Sequence, residues 1–213
     1  AQEGTLAHEL CELKLKKYLT VMSKAAYTRQ LNKIKKHKLW QDEMERTTEE
    51  YVEYIKSILL SYDVAPAAVI EKRVDFSSYV PQGFGTADCL ILAGDTLHVI
   101  DYKHGKGVPV DADHNPQMML YALGAMHDYS LLYHFTTVKM AIVQPRLTGV
   151  SEFTISVKEL LKWGDEVVRP KAQEAFAESG HRFEAGDWCK FCRAKQRCKA
   201  RCEANTALYP HVT

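Results

Sequence analysis

The sequence predicts an α/β fold with a central mixed β-sheet flanked by helices, and three observations carry that expectation. Apolar residues recur at helical spacing before residue 62, three β-branched runs follow between 69 and 102, and helix and strand patterns then alternate.

Thr5 is a capping residue type for a helix expected over 6–19, with Leu6, Leu10 and Leu13 on one side and His8 and Cys11 on another. The Lys- and Gln-rich stretch 28–41 reads as an exposed connector or a solvated basic helical face. From Thr48 onward Val52, Ile55, Leu59 and Tyr62 predict an amphipathic helix that ends before Pro66. Strands are expected over 69–76, 84–92 and 96–102. Asn115 and Pro116 supply the cap and first position of a helix reaching about Met126. Residues 139–143 read as a buried strand with 153–156 as a short partner. Ser156 and Glu159 form a capping box for a helix that reaches Pro170 and resumes to Ser179. The expected organisation is one domain over 1–185, with N-terminal helices in 5–62 and a core at about 69–145. A small cysteine-rich helical module follows over 186–203.

With 28 Lys and Arg against 27 Asp and Glu, no global field favours a polyanion, so any such contact must use local patches. No run of 18 apolar residues and no basic-then-apolar start are present, so neither membrane insertion nor secretion is expected, and a cytoplasmic location is.

The most informative stretch is Ala93-Gly94-Asp95-Thr96, a two-residue turn with Gly94 where a type II′ hairpin wants it. If Ala93 faces Thr96, Asp88 lies opposite Asp101 and Thr86 opposite Lys103, both pairs on one face of the hairpin. Like charges so placed repel, and a divalent cation with oxygen ligands is the simplest remedy. Such a cation polarises phosphate esters and activates water, while Lys103 is placed to hold the water or the phosphate charge. A loop at 77–82 brings Glu71 beside Asp88 as a third carboxylate. Gln117 and Tyr121, four apart, share one helix face within reach of a phosphate or base edge.

These residues together resemble the PD-(D/E)XK nuclease superfamily, and within it the RecB-like exonuclease branch that includes many phage proteins. The matching pieces are Gly4-Thr5-Leu6-Ala7-His8-Glu9, Glu71, Gly85-Thr86-Ala87-Asp88, Asp101-Tyr102-Lys103, and Gln117 with Tyr121, in order over residues 4–121. The resemblance implies a restriction-endonuclease-like core and Mg²⁺- or Mn²⁺-dependent hydrolysis of DNA phosphodiester bonds, as in exonucleases and end-processing enzymes of phage or recombination origin. It implies that Asp88, Asp101 and His8 are metal ligands, that the Tyr102 carbonyl completes the shell, and that Lys103 positions or activates the water. Glu71 resembles an extra acidic residue of exonuclease-like members, and Gln117 and Tyr121 a substrate-facing pair. The implied partners are DNA and a recombination or single-strand-binding protein, in a bacterial or phage-infected cell. The sequence departs from the family's motif at Ala87, where Pro is common, and at Asp101, where Glu is common. The expectation from another class is a DNA-binding or scaffold protein that keeps this fold without cleaving.

Four of the six cysteines, Cys189, Cys192, Cys198 and Cys202, are spaced C-x₂-C-x₅-C-x₃-C, a pattern that suits tetrahedral zinc or an iron–sulfur cluster. Some members of the resembled branch hold an iron–sulfur cluster through three such C-terminal cysteines and one that precedes the His motif. The fourth thiolate is left open here between Cys202, Cys11 and a residue upstream of Ala1. Lys190, Arg193, Lys195, Arg197, Lys199 and Arg201 make the same segment a candidate phosphate contact or a solvated basic helix.

Overall fold

The structure is a computed structural model that describes residues 2–147, 149–177 and 183–207. The chain forms two compact units, 1–172 and 173–213. In the first, helices α1 (Gln2–Leu19), α2 (Lys24–Lys35) and α3 (Glu43–Leu60) precede strands β1 (Ala67–Asp75), β2 (Phe84–Ala93) and β3 (Thr96–Tyr102). Helix α4 (Pro116–Tyr129) leads to β4 (Thr137–Gln144) and β5 (Gly149–Ser156), and α5 (Val157–Trp163) follows. A π-helical segment over Gly164–Val168 joins α5 to α6 (Arg169–Phe176), and the helix end expected at Ser179 lies outside the described residues.

The sheet order is β1-β2-β3-β4-β5, antiparallel throughout except for the parallel pair β3 and β4. That is the expected mixed sheet, because α4 carries the chain back so that β4 can run beside β3 in the same direction. The turn after β2 has Gly94 at φ 58° while Asp95 keeps a negative φ, as a type II′ turn requires, and Ala93 pairs with Thr96. Asn115 caps α4 by accepting from the N–H groups of Gln117 and Met118 at 3.1 and 3.3 Å. Ser156 and Glu159 form the expected reciprocal box at α5.

One element differs from expectation, and one open alternative is decided. Helix α1 begins at Gln2, so Thr5 lies inside it rather than at its cap. Glu3 in its first turn is tied by Arg146 and His104, and those ties extend the helix. The stretch 28–41 is mostly helix, because Ser23 caps α2 and Tyr27, Leu31 and Ile34 pack against α1 and Met44.

Each sheet face carries a core. Leu90, Leu92, Leu97, Val99 and Ile142 pack against Met118, Met119 and Leu123 of α4. Cys89, Ile91, Ile100 and Tyr102 pack against Ala7, Cys11 and Leu15 of α1 and Tyr51 and Ile55 of α3. His98 and His104, expected as surface residues or weak substrate contacts, are 6% and 5% exposed. His98 lies 2.7 Å from the Tyr62 hydroxyl, and burial followed by the charge of Lys139 lowers its pKa to about 4. Unfolded His titrates near 6.5, so as pH falls from about 6.5 to 4 the unfolded state takes the proton first. Stability is therefore full above about pH 6.5, and up to about 3 kcal/mol is lost toward pH 4. His98→Gln is expected to flatten that part of a urea-denaturation pH series, and an unchanged slope would refute the assignment.

In the second unit a 3₁₀ turn at Asp187–Lys190 and helix α7 (Lys199–Ala207) carry the cysteine segment. Among the described residues no helix is long and apolar enough to cross a membrane.

Candidate metal and phosphoester site

The hairpin register holds up to Cys89 and Ile100, and there the two strands part. Asp88 does not pair across to Asp101 but turns its Oδ2 onto the backbone N–H of Tyr102 at 2.8 Å. Asp101 pairs instead with Ile142 of β4. Glu71 lies between the pairs Ile70–Cys89 and Lys72–Ala87, so it stands beside Asp88 as the loop length suggested.

Glu71 adopts φ 47°, the left-handed region that costs a non-glycine residue about 1–2 kcal/mol. Its effect is visible in the packing. Val69 faces the α4 core and Ile70 the α1 core, but Lys72, which pairs with Asp128 of α4 at 3.1 Å, and Val74 both face α4. The period-2 alternation slips by one at Glu71, and the same slip occurs opposite it, where Ala87 and Leu90 both belong to the α4 core. The two carboxylates are thereby presented to His8 of α1, with ligand atoms of His8, Glu71 and Asp88 all within 4.8 Å of one another. Strict alternation would put Asp88 on the α4 face with Asp101; the slip gives it His8 and Glu71 as neighbours, while its charge still acts on Asp101.

Asp101 approaches from the α4 side. It is 2% exposed, its Oδ1 accepts from Gln117 Nε2 at 3.1 Å, and Lys103 Nζ stands 2.8 Å from its Oδ2 without an aligned hydrogen bond. Gln117 also accepts from Lys103 Nζ at 3.2 Å and donates to the Tyr121 hydroxyl at 3.1 Å. The helix pair read as substrate-facing thus holds Asp101 and Lys103 in place as well. Gly85 makes room for it, since a Cβ there would stand 2.4 Å from the Tyr121 ring. Tyr102 is buried, and its hydroxyl reaches Thr47 and His104 at 3.1 and 2.9 Å.

Negative charge here is under-compensated. Burial, with Asp88 and Glu12, raises Glu71 to about 7, and burial, with Asp88, raises Asp101 to about 6 against the opposing pull of Lys103. For His8, burial opposes the charged form, but Asp88, 3.4 Å from Nδ1, outweighs it and raises the pKa. An imidazole and two carboxylates converging, beside a buried Asp101 oxygen that lacks an aligned donor, form a donor set suited to a divalent cation.

Because Glu71 is strained, Glu71→Gly is expected to leave thermal stability within about 1 kcal/mol of the parent, the relieved strain offsetting the glycine entropy cost. Affinity for Mg²⁺ or Mn²⁺ should fall in the same variant by isothermal titration. A large stability loss with intact metal affinity would contradict this account.

The four tail cysteines are free thiols, and among the described residues their sulfurs do not converge as the His8, Glu71 and Asp88 atoms do. Cys202 donates its N–H to the Cys198 carbonyl at 3.0 Å across the start of α7, and Cys189 Sγ accepts from the Gly186 N–H at 3.4 Å. Sequence reasoning missed Arg146, whose guanidinium ties Glu3, Glu43 and the His104 carbonyl together behind the site. No motif marks it.

Among solved structures the chain is similar to the crystal structure of SSO0001, at 14% identity over 89% of this chain and 80% of that one, with a TM-score of 0.30. The model of a family described as "Protein of unknown function (DUF2800)" matches residues 1–211, nearly the whole chain, and the protein belongs to that family.

Proposed function

We propose that the protein is a metal-dependent DNA nuclease of PD-(D/E)XK type, related to the RecB-like exonucleases. The observation that carries this reading is the convergence of His8, Glu71 and Asp88 beside the Asp101–Lys103 pair. His8, Glu71, Asp88 and Asp101, with the Tyr102 carbonyl as a further oxygen, would hold a Mg²⁺ or Mn²⁺ ion, which would supply Lewis-acid polarisation of the scissile phosphate. Lys103, oriented by Asp101 and Gln117, positions the attacking water and meets the charge that grows on the phosphate. Tyr121 and Gln117 face the substrate as well as bracing the site. The tail cysteines are assigned to a thiolate site, iron–sulfur or zinc, and visible charge-transfer absorption would separate the two. Six free cysteines favour a reducing, cytoplasmic setting in a bacterial or phage-infected cell.

Labelled linear and circular DNA incubated with the protein and Mg²⁺ or Mn²⁺ tests the proposal. Cleavage that requires metal supports it, and degradation of linear DNA alone would identify exonuclease action. Binding without cleavage under both ions would favour a DNA-binding scaffold.

A further inference from the structure

Resting on the nuclease reading, we infer that the outer face of α2 is a docking surface for the phosphate backbone of double-stranded DNA leading to the metal site. No Asp or Glu occurs between residues 13 and 41, whereas nine Lys and Arg do, in a chain whose total charge is only +1. Lys14, Lys16 and Lys35 are neutralised by Glu49, Glu12 and Glu45. Lys24, Arg29, Lys33, Lys36 and Lys38 meet no carboxylate among the described residues, and all are exposed.

Geometry makes this more than a solvated helix. Tyr27, Leu31 and Ile34 fix the inner face onto α1, so the opposite face has one orientation. That face is a continuous surface of Ala25, Thr28, Arg29, Asn32, Lys33 and Lys36, residues at helical spacing. Ala25, Thr28 and Asn32 are short, allowing a backbone to approach the helix, and Thr and Asn donate to phosphate oxygens. Twelve residues span about 18 Å, the axial rise of roughly five base pairs at about 3.4 Å each. The surface also connects to the chemistry. A cavity of about 320 Å³ between α1 and α2 is lined by Glu9, Glu12 and Lys16 of α1 and by Lys33 of α2, so the α2 surface borders the helix that bears His8. A duplex lying along α2 therefore passes beside the helix that contributes His8 to the metal site.

The test measures binding of a labelled duplex to the full chain in EDTA, so that no strand is cut, across a salt series. Arg29→Ser, Lys33→Ser and Lys36→Ser combined are expected to lower affinity at least about 10-fold and to reduce the slope of log affinity against log salt by about 3. Lys139→Ser, Lys158→Ser and Lys162→Ser combined remove the same charge elsewhere and should leave the slope near the parent's. Equal effects from both triples, or none from the first, would overturn the α2 surface while Mg²⁺-dependent cleavage still stood. An α2 triple that loses binding to phosphatidylserine vesicles but not to DNA would overturn it in favour of a membrane contact. A parent that binds no DNA overturns it as well, and absence of cleavage with Mg²⁺ or Mn²⁺ would then take the nuclease reading with it.

Discussion

Asp101→Asn is expected to lower metal-dependent DNA cleavage by roughly 10²–10⁴-fold while leaving the fold intact. The side chain is nearly isosteric and its hydrogen-bonding neighbours can adapt, since Gln117 Nε2 can still donate to the amide oxygen. What is lost is the negative charge that Lys103 faces at 2.8 Å and that a divalent cation needs. Because burial and Asp88 hold the Asp101 carboxyl up near 6, part of the resistance to ionisation is already stored in the parent, and metal binding releases it. The variant should therefore unfold at no lower temperature than the parent and show weaker Mn²⁺ binding by titration. Lys103→Ala should lose cleavage to a similar degree with much less effect on metal affinity, because it is not a ligand. Single-turnover cleavage of labelled DNA, measured beside metal titration, separates the two roles. Parent-like cleavage by either variant would rule out the proposed chemistry.

Arg146→Met is expected to cost about 2–3 kcal/mol of folding stability. The Arg146 side chain is 7% exposed and donates from Nη1 to Glu3 at 2.7 Å and to the His104 carbonyl at 3.1 Å, and from Nε to Glu43 at 2.6 Å. Methionine keeps most of the volume but none of the donors, so three acceptors lose a partner. The cost stays below that for a fully buried pair because Glu3 and Glu43 are about one-third exposed and water can solvate them. The consequence reaches the site through geometry, since Glu3 lies in the first turn of the helix that bears His8, and His104 follows Lys103. Tyr102 joins the same network through the His104 ring. Thermal unfolding should fall by roughly 2–4 °C per kcal/mol, with a parallel loss of metal affinity. Arg146→Lys should recover only part of both, because an ammonium cannot fork to two carboxylates and a carbonyl at once. A variant with parent-like stability would show that the network is ornamental.

Much of this protein was legible in its residues because local rules act over short distances. Gly94 could set the hairpin register because only a residue that accepts positive φ closes a two-residue turn of that kind, and Ala93 duly pairs with Thr96. Asn115 and Ser156 cap their helices because a short polar side chain next to a helix start has few other bonds to make. The five-strand sheet followed from such signals together with the apolar periodicities around them.

The sequence by itself determined most of the elements, their order, the hairpin register as far as Cys89 and Ile100, and the residues proposed to hold a cation. Only the tertiary structure decided how those residues meet. A left-handed Glu71 has no sequence signature, since it is imposed by strands that must keep register on both sides of it while their side chains change face. That slip turns Glu71 and Asp88 toward α1 and leaves Asp101 with α4, so the site lies where the strands part rather than on one face of a hairpin. Arg146 and the buried His98 and His104 were equally hidden, because their partners lie 36 to 143 residues away, and only the packed chain brings such charges and rings within bonding distance.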